Sequence, residues 1–130
     1  MAKHKITLEY LFNTTVQSLY RCISAPSGLS GWFADNITVD ERNGVYYVFW
    51  WGKSSQKAKL IRSKTGSFVR FQWEDDLNTD YYFEMQITSD ELTGVVSLSI
   101  TDFAPLGDEA DVKSMWDTNI KGLKLKIGSK

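Results

Sequence analysis

The feature that most constrains the fold is an alternation of apolar and polar residues that recurs in successive segments between residues 37 and 103. Four of these segments have one apolar and one polar side, a period of two that is typical of half-buried strands. Their apolar residues are Ala58 and Leu60, then Val69, Phe71 and Trp73, then Tyr81, Phe83, Met85 and Ile87, and finally Val96, Leu98 and Ile100. The pattern predicts an antiparallel sheet with one apolar face and one polar face.

Turn residues divide this region into six predicted strands, and a further strand is predicted ahead of them. Asn43-Gly44 is a strong hairpin signal, and three later glycines mark further turns. The alternation of residues 5–12 predicts the strand that precedes the others. The six later strands are predicted at 37–42, 45–51, 56–63, 67–74, 80–88 and 95–103.

Three helices are predicted from apolar residues that recur every three to four positions. A short helix follows the first strand, and a second spans roughly 27–34. The last covers about 109–127 and carries an apolar stripe of Val112, Met115, Trp116, Ile120, Leu123 and Ile127. Because one helix is only about 10–12 Å wide, it leaves part of a seven-stranded apolar face to large side chains or to a cavity.

The order of these elements and three segments of sequence resemble a known family. Strand, two short helices, six antiparallel strands and a long helix is the order of the α+β helix-grip fold. The segments are APSGLSGWFADNIT at 25–38, VFWWGKSSQKAKLI followed by FVRFQWEDD, and MWDTNIKGLKLKIG. They resemble START-like (SRPBCC) proteins of the AHSA1-type group, related to the C-terminal domain of the Hsp90 ATPase activator, in particular small START-like proteins of Bacteroidetes. The resemblance implies one START-like domain over residues 1–130, with a curved seven-stranded sheet around the last helix.

Charge and composition argue against several classes of partner. The net charge is −1 at pH 7, which favours neither nucleic acid nor an anionic membrane surface. No apolar run approaches the ~20 residues of a membrane-spanning helix, so we expect no membrane insertion. The N-terminus runs directly into a strand pattern without a signal sequence, and Cys22 is the single cysteine. Both observations predict a cytoplasmic protein.

The residues that carry most enzymatic chemistry are sparse. His4 is the only histidine and lies at the N-terminus, which argues against a catalytic triad. One histidine and one cysteine are too few for a typical zinc site. None of the carboxylates falls on a predicted inner face of the sheet. We therefore expect no catalytic residue, no metal and no cofactor, and an enzyme is the least supported functional hypothesis.

Aromatic residues, at 14% of the chain, are the best candidates for a functional site. Two interpretations stay open, because such side chains either fill the core or line a cavity for an apolar ligand. The second follows from the family resemblance and predicts a non-enzymatic domain that binds a small apolar molecule between the sheet and the last helix. The residues predicted to line that cavity are Tyr10, Trp32, Phe33, Trp50, Trp73, Phe83, Met115, Trp116 and Ile120.

The densest aromatic segment, YYVFWWG at 46–52, is apolar in both phases of a strand. From the neighbouring strands and the family's tryptophan before the glycine turn, we predict that Tyr46, Val48 and Trp50 face inward. The alternate residues then face outward on an otherwise polar surface. They suggest an alternative function, a protein-interaction module that acts as a homodimer or as a co-chaperone-like partner. The predicted interface consists of Tyr47, Phe49 and Trp51.

Overall fold

The sheet predicted from the alternation is present in the computed structural model, which describes residues 2–128. The strands are β1 (Lys3–Phe12), β2 (Asn36–Asp40), β3 (Tyr46–Trp51), β4 (Ser54–Lys64), β5 (Phe68–Trp73), β6 (Phe83–Ser89) and β7 (Val96–Pro105). The helices are α1 (Val16–Ser24), α2 (Pro26–Leu29) and α3 (Glu109–Ile127), with a short 3-10 turn at Glu74–Asp76. All strand pairs are antiparallel in the order β1-β7-β6-β5-β4-β3-β2, so β1 and β2 form the edges. The predicted helix-grip fold is confirmed.

One face of the sheet forms the core together with the helices. α3 lies against β1 and β7, whereas α1 lies against β5 and β6. The inward residues of β7, Leu98 and Ile100, are fully buried, as are Trp116 and Leu123 of α3. Because α1 and α3 lie to one side of β3 and α2 contacts β2 on the other side, the inner face near the end of β3 is covered by side chains rather than by a helix.

The second helix is shorter than predicted. It was expected over roughly 27–34, but α2 ends at Leu29 after one turn. Ser30 is extended and Gly31 has a φ of 92°, a value that glycine adopts without a steric penalty. The chain therefore leaves the helix early, and Trp32 and Phe33 enter the core from an irregular segment instead.

The phase predicted for β3 is wrong. Tyr47 and Phe49 point inward, with 8% and 0% of their surface exposed, whereas Tyr46, Val48 and Trp50 lie half-buried on the outer face. Two of the three residues predicted to form an outward interface are therefore core residues. Trp50, which was predicted to line the cavity, is on the opposite side of the sheet from it.

Hairpin register explains this phase. Trp51 pairs with Ser54 across the two-residue turn Gly52-Lys53, so Tyr47 lies opposite Ala58. Opposed residues in an antiparallel pair share a face, and Ala58 is fully buried. Since Gly52 adopts a φ of 62° that suits the first position of such a turn, the loop cannot slip by one residue without losing its geometry.

A matched pair of substitutions in β3 tests this phase. Phe49→Ala removes a fully buried ring, and we expect it to lower the free energy of unfolding by about 3–5 kcal/mol. Trp50→Ala removes a ring from the outer face and should cost about 1 kcal/mol. Urea denaturation followed by circular dichroism measures both values. A larger loss for Trp50→Ala than for Phe49→Ala would contradict the observed phase.

Close approach of α2 to α1 requires a glycine at position 28. A Cβ at Gly28 would lie 1.9 Å from the carbonyl oxygen of Arg21, far inside contact distance. The carbonyl oxygen of Gly28 also accepts a hydrogen bond from the indole N–H of Trp32, at 3.0 Å. By contrast, a Cβ at Gly122 in α3 would meet Trp32 at 3.6 Å, an ordinary contact.

Alanine at these two glycines should therefore have opposite effects. We expect Gly28→Ala to destabilise the protein by at least about 3 kcal/mol, because backbone atoms must move apart. Gly122→Ala should be neutral or stabilising by up to about 1 kcal/mol, because alanine favours helix. Thermal unfolding of both variants measures the difference, and equal melting temperatures would show that α1 and α2 are not in this close contact.

Candidate functional site

A cavity of about 210 Å³ opens on the inner face, between the ends of the central strands and α3. Residues from six elements and from the segment after α2 surround it. The lining consists of Phe33, Trp51, Gln56, Trp73, Phe83, Asp102, Met115, Trp116 and Asn119. A larger depression of about 400 Å³ on the sheet surface is lined mainly by polar residues, among them Lys57, Glu74 and Asp75. A concave site with aromatic walls and few polar groups, such as the smaller cavity, is the more typical small-molecule site.

Aromatic rings that pack on one another form the walls of this cavity. Phe33 stacks on Phe83 at a centroid distance of 5.6 Å and lies 5.8 Å from Trp116. Trp73 lies 5.0 Å from Phe83 and 6.5 Å from Trp51. Tilted and stacked rings at these distances stabilise one another, so the walls are held in place without a ligand.

The mouth of the cavity lies between β3 and α3. Trp51 is 38% exposed, and its indole N–H donates to the carbonyl oxygen of Phe33 at 3.0 Å. Met115 lines the cavity from α3 and is 49% exposed. One side of the mouth is thus fixed by a hydrogen bond, whereas the other is a flexible thioether chain that adapts to different shapes.

Asp102 is the one carboxylate among the lining residues, and sequence reasoning missed it. Its Oδ2 accepts a hydrogen bond from the indole N–H of Trp116 at 2.9 Å, and its Oδ1 accepts one from the backbone N–H of Phe103 at 2.8 Å. Burial raises the pKa of Asp102 above its ordinary value, and these two hydrogen bonds act in the opposite sense. The prediction that no carboxylate lies on the inner face is therefore wrong.

The alternation of residues along β7 indicates that Asp102 faces inward. β7 continues to Pro105, two residues beyond the predicted end. Asp102 occupies the next inward position after Leu98 and Ile100, since each lies two residues after the one before. Its partner on β1 is Ile6, which continues the inward series of Tyr10 and Leu8 on that strand. A polar residue in an apolar register position is a candidate functional group, because its burial is costly without a compensating interaction.

Of the nine residues predicted to line the cavity, five do so: Phe33, Trp73, Phe83, Met115 and Trp116. Trp32 is buried beside the helices, where its indole N–H donates to the carbonyl oxygens of Cys22 and Gly28. Ile120 is a core residue of α3. Whether the five residues bind a ligand stays a prediction.

Tyr10, the remaining member of that set, joins β1 to α3 away from the cavity. Its hydroxyl donates to Oδ1 of Asp117 at 2.7 Å. Burial and the adjacent carboxylate both raise the pKa of this phenol. Tyr10 therefore acts as a link between the edge strand and the helix rather than as the polar tip of a pocket.

Three further observations concern metal sites, membranes and the cysteine. Within residues 2–128, no three side chains of the His, Cys, Asp or Glu type come close enough together to hold a metal ion. No helix in the same range combines the length and apolarity needed to cross a bilayer. Cys22 is buried in α1, and burial raises the pKa of its thiol, which disfavours the reactive thiolate.

Comparison with known proteins agrees with the family resemblance seen in the sequence. A family model of the START-like superfamily domain matches residues 1–129. The chain is 38% identical to a Bacteroides fragilis protein with a solution NMR structure, over 98% of this chain and 93% of that one, with a TM-score of 0.69. No curated protein matches the chain.

Two other solved structures share the fold at low identity. The Aha1 dimer from Colwellia psychrerythraea is 14% identical, with a TM-score of 0.76 over 93% of both chains. CalU16 from Micromonospora echinospora is also 14% identical, with a TM-score of 0.73 over 96% of this chain and 74% of that one. On the family model and the Bacteroides relative together, this chain belongs to the START-like superfamily.

Proposed function

We propose that this domain binds a small, ring-containing apolar ligand in the cavity between the sheet and α3. The observation that carries the proposal is the cavity itself, in which five aromatic side chains enclose about 210 Å³ beside a partly open mouth. Protein interiors are otherwise packed to the density of organic crystals. A preformed apolar space of this kind is a typical place for a ligand.

The size of the cavity limits the ligand. An apolar cavity of roughly 150 Å³ accommodates benzene, so about 210 Å³ suits a molecule of one or two rings. A long acyl chain exceeds this space. The rings of Phe33, Phe83 and Trp73 offer flat faces and edges, on which an aromatic ligand packs better than a branched aliphatic one.

Binding is better supported than catalysis by the same lining. Among the nine lining residues, Asp102 is the only one with an acid–base side chain, and its neighbour Trp116 is not a base. General acid–base or nucleophilic chemistry needs a second group within hydrogen-bonding reach. The polar side chains of Gln56 and Asn119 instead suit the recognition of a ligand's polar tip.

Indole is a suitable first probe because it is neutral and has two rings. We expect it to shift the indole N–H resonances of Trp51 and Trp116 in ¹H–¹⁵N NMR spectra, because both side chains line the cavity. Trp51→Ala should weaken indole binding about two- to tenfold, the range of one aromatic contact. Trp50→Ala, the matched control on the outer face, should leave the affinity unchanged.

Palmitate serves as the size control in the same titration, and we expect no shift of the two tryptophan resonances. Absence of any indole-dependent shift at the solubility limit would contradict the proposal. Equal weakening by Trp50→Ala and Trp51→Ala would place the indole elsewhere on the molecule.

A second candidate function is association of two copies, or of one copy with a protein partner, through the outer face of β3. It is favoured by Tyr46, Val48 and Trp50, which form an apolar stripe on the face that is otherwise polar. The likeness to a protein solved as a dimer adds support at the level of fold. Interfaces of this kind have aromatic residues at their centre and polar residues around them.

Light scattering coupled to size-exclusion chromatography tests this second candidate. We expect the mass of a dimer for the wild type and a monomer for Trp50→Ser, because the substitution removes the largest ring of the stripe. Trp51→Ser, on the inner face, is the control and should leave the mass unchanged. A monomeric wild type at concentrations near 1 mM, roughly the weakest affinity of a specific complex, would exclude the homodimer.

A further inference from the structure

We propose that the ligand of the cavity is a small organic cation, a ring that bears a protonated amine, and that Asp102 is its anionic partner. This inference rests on the proposed function, since it specifies the chemical class of the same ligand. Three properties of the cavity lead to it: the unused hydrogen-bonding capacity of Asp102, the absence of an ion pair to Asp102 within residues 2–128, and the aromatic walls.

The carboxylate of Asp102 has capacity for further hydrogen bonds. A carboxylate accepts about four, whereas the described contacts supply one to each oxygen, from Trp116 and from the backbone of Phe103. Both donors are neutral N–H groups. They orient the carboxylate and offset part of its burial, but they do not neutralise its charge.

None of the ion pairs formed by residues 2–128 includes Asp102. Lys3 and Asp76 both influence the pKa of Asp102, Lys3 by lowering it and Asp76 by raising it. Lys3 itself is 3.9 Å from the carboxylate of Asp76. Burial accordingly raises the pKa of Asp102, and a cationic ligand would supply the counterion that the protein does not place there.

The aromatic walls also favour a positively charged ligand. The face of an aromatic ring carries partial negative charge and attracts cations within about 6 Å, most strongly in tryptophan. Three tryptophans line the cavity: Trp51, Trp73 and Trp116. An ammonium group therefore finds both a carboxylate and ring faces, whereas an anion would be repelled by both.

The amide side chains complete the match. Gln56 and Asn119 line the cavity, and an amide oxygen accepts hydrogen bonds from the N–H groups that an ammonium presents beyond its contact with a carboxylate. The ring of the ligand then contacts Phe33 and Phe83, in agreement with the size limit set by the volume. An aralkylammonium ion satisfies all of these features.

Three probes of matched size separate charge from shape: 2-phenylethylammonium, neutral 2-phenylethanol and anionic 3-phenylpropanoate. NMR titrations of the wild-type protein at pH 7 should rank the cation first, the neutral alcohol second and the anion last. We expect the cation to bind about ten- to a hundredfold more tightly than the alcohol, the range of one hydrogen bond to a charged group. The Trp116 indole N–H resonance should move most with the cation, because its acceptor is Asp102.

Asp102→Asn removes the charge and retains an acceptor oxygen for Trp116. We expect this variant to lose the preference for the cation and to bind the alcohol within about twofold of the wild type. Asp76→Asn is the matched control, since it removes the same charge from a nearby residue that is not among those lining the cavity. Its affinity for the cation should change by less than about threefold, because solvent screens such a charge.

The outcomes distinguish this inference from the proposed function. If the wild type binds the alcohol as tightly as the cation, the inference of a cationic ligand is wrong, and the proposal that the cavity binds a ring-containing apolar ligand is retained. If Asp102→Asn folds and keeps the preference for the cation, Asp102 is not the anionic partner. If none of the three probes binds, both the inference and the proposed function fail. The ranking of probes by the wild type decides the question even where the variant does not fold.

Discussion

Burial of Phe33 is the interaction on which the arrangement of sheet, helices and cavity depends. Six other rings have their centroids between 4.9 and 6.5 Å from it. These rings belong to β3, β5, β6, α3 and the segment after α2, so one side chain contacts almost every layer of the fold. They are Trp32, Phe49, Trp51, Trp73, Phe83 and Trp116. Each such pair adds roughly 0.5–1.5 kcal/mol beyond simple burial, and their number makes this the most strongly connected point of the core.

The cavity follows from the mismatch between one helix and a wide sheet. α3 covers β1 and β7, and α1 covers β5 and β6, which leaves the end of β3 to be covered by rings. The rings that line this space are tilted or stacked on one another and leave about 210 Å³ between them unfilled. The protein therefore keeps an apolar space next to its most rigid cluster, and a ligand that enters it gains dispersion contacts that the empty walls lack.

Asp102 gives this apolar space its chemical character. A carboxylate that is partly removed from water is destabilising unless hydrogen bonds or a counterion compensate it, and here two neutral N–H donors do so only in part. The same residue ties β7 to α3 through Trp116. One position thus orients the aromatic wall and sets the polarity of the cavity, and for this reason its substitution by asparagine is more informative than its removal.

Much of this architecture could be predicted, and the errors have identifiable causes. Residues such as Leu98 and Ile100 have polar neighbours on both sides, so their strand permits one phase only. YYVFWWG is apolar in both phases, and its orientation depends on Ala58, which lies across a turn on another strand. Asp102 was missed although the predicted strand at 95–103 contains it, because the inner face was assigned only to the apolar residues up to Ile100 and the alternation was not continued to the next inward position.

The sequence by itself determined the number and order of the strands, the position of α3 and the presence of one apolar sheet face, because these follow from local periodicity and turn chemistry. The tertiary structure alone decided which rings of β3 face inward, which aromatics line the cavity rather than the core, and that Asp102 joins them. The physical reason is that periodicity specifies a face relative to its own strand. Which side chains meet in space depends on register and on which part of the sheet the helices leave uncovered.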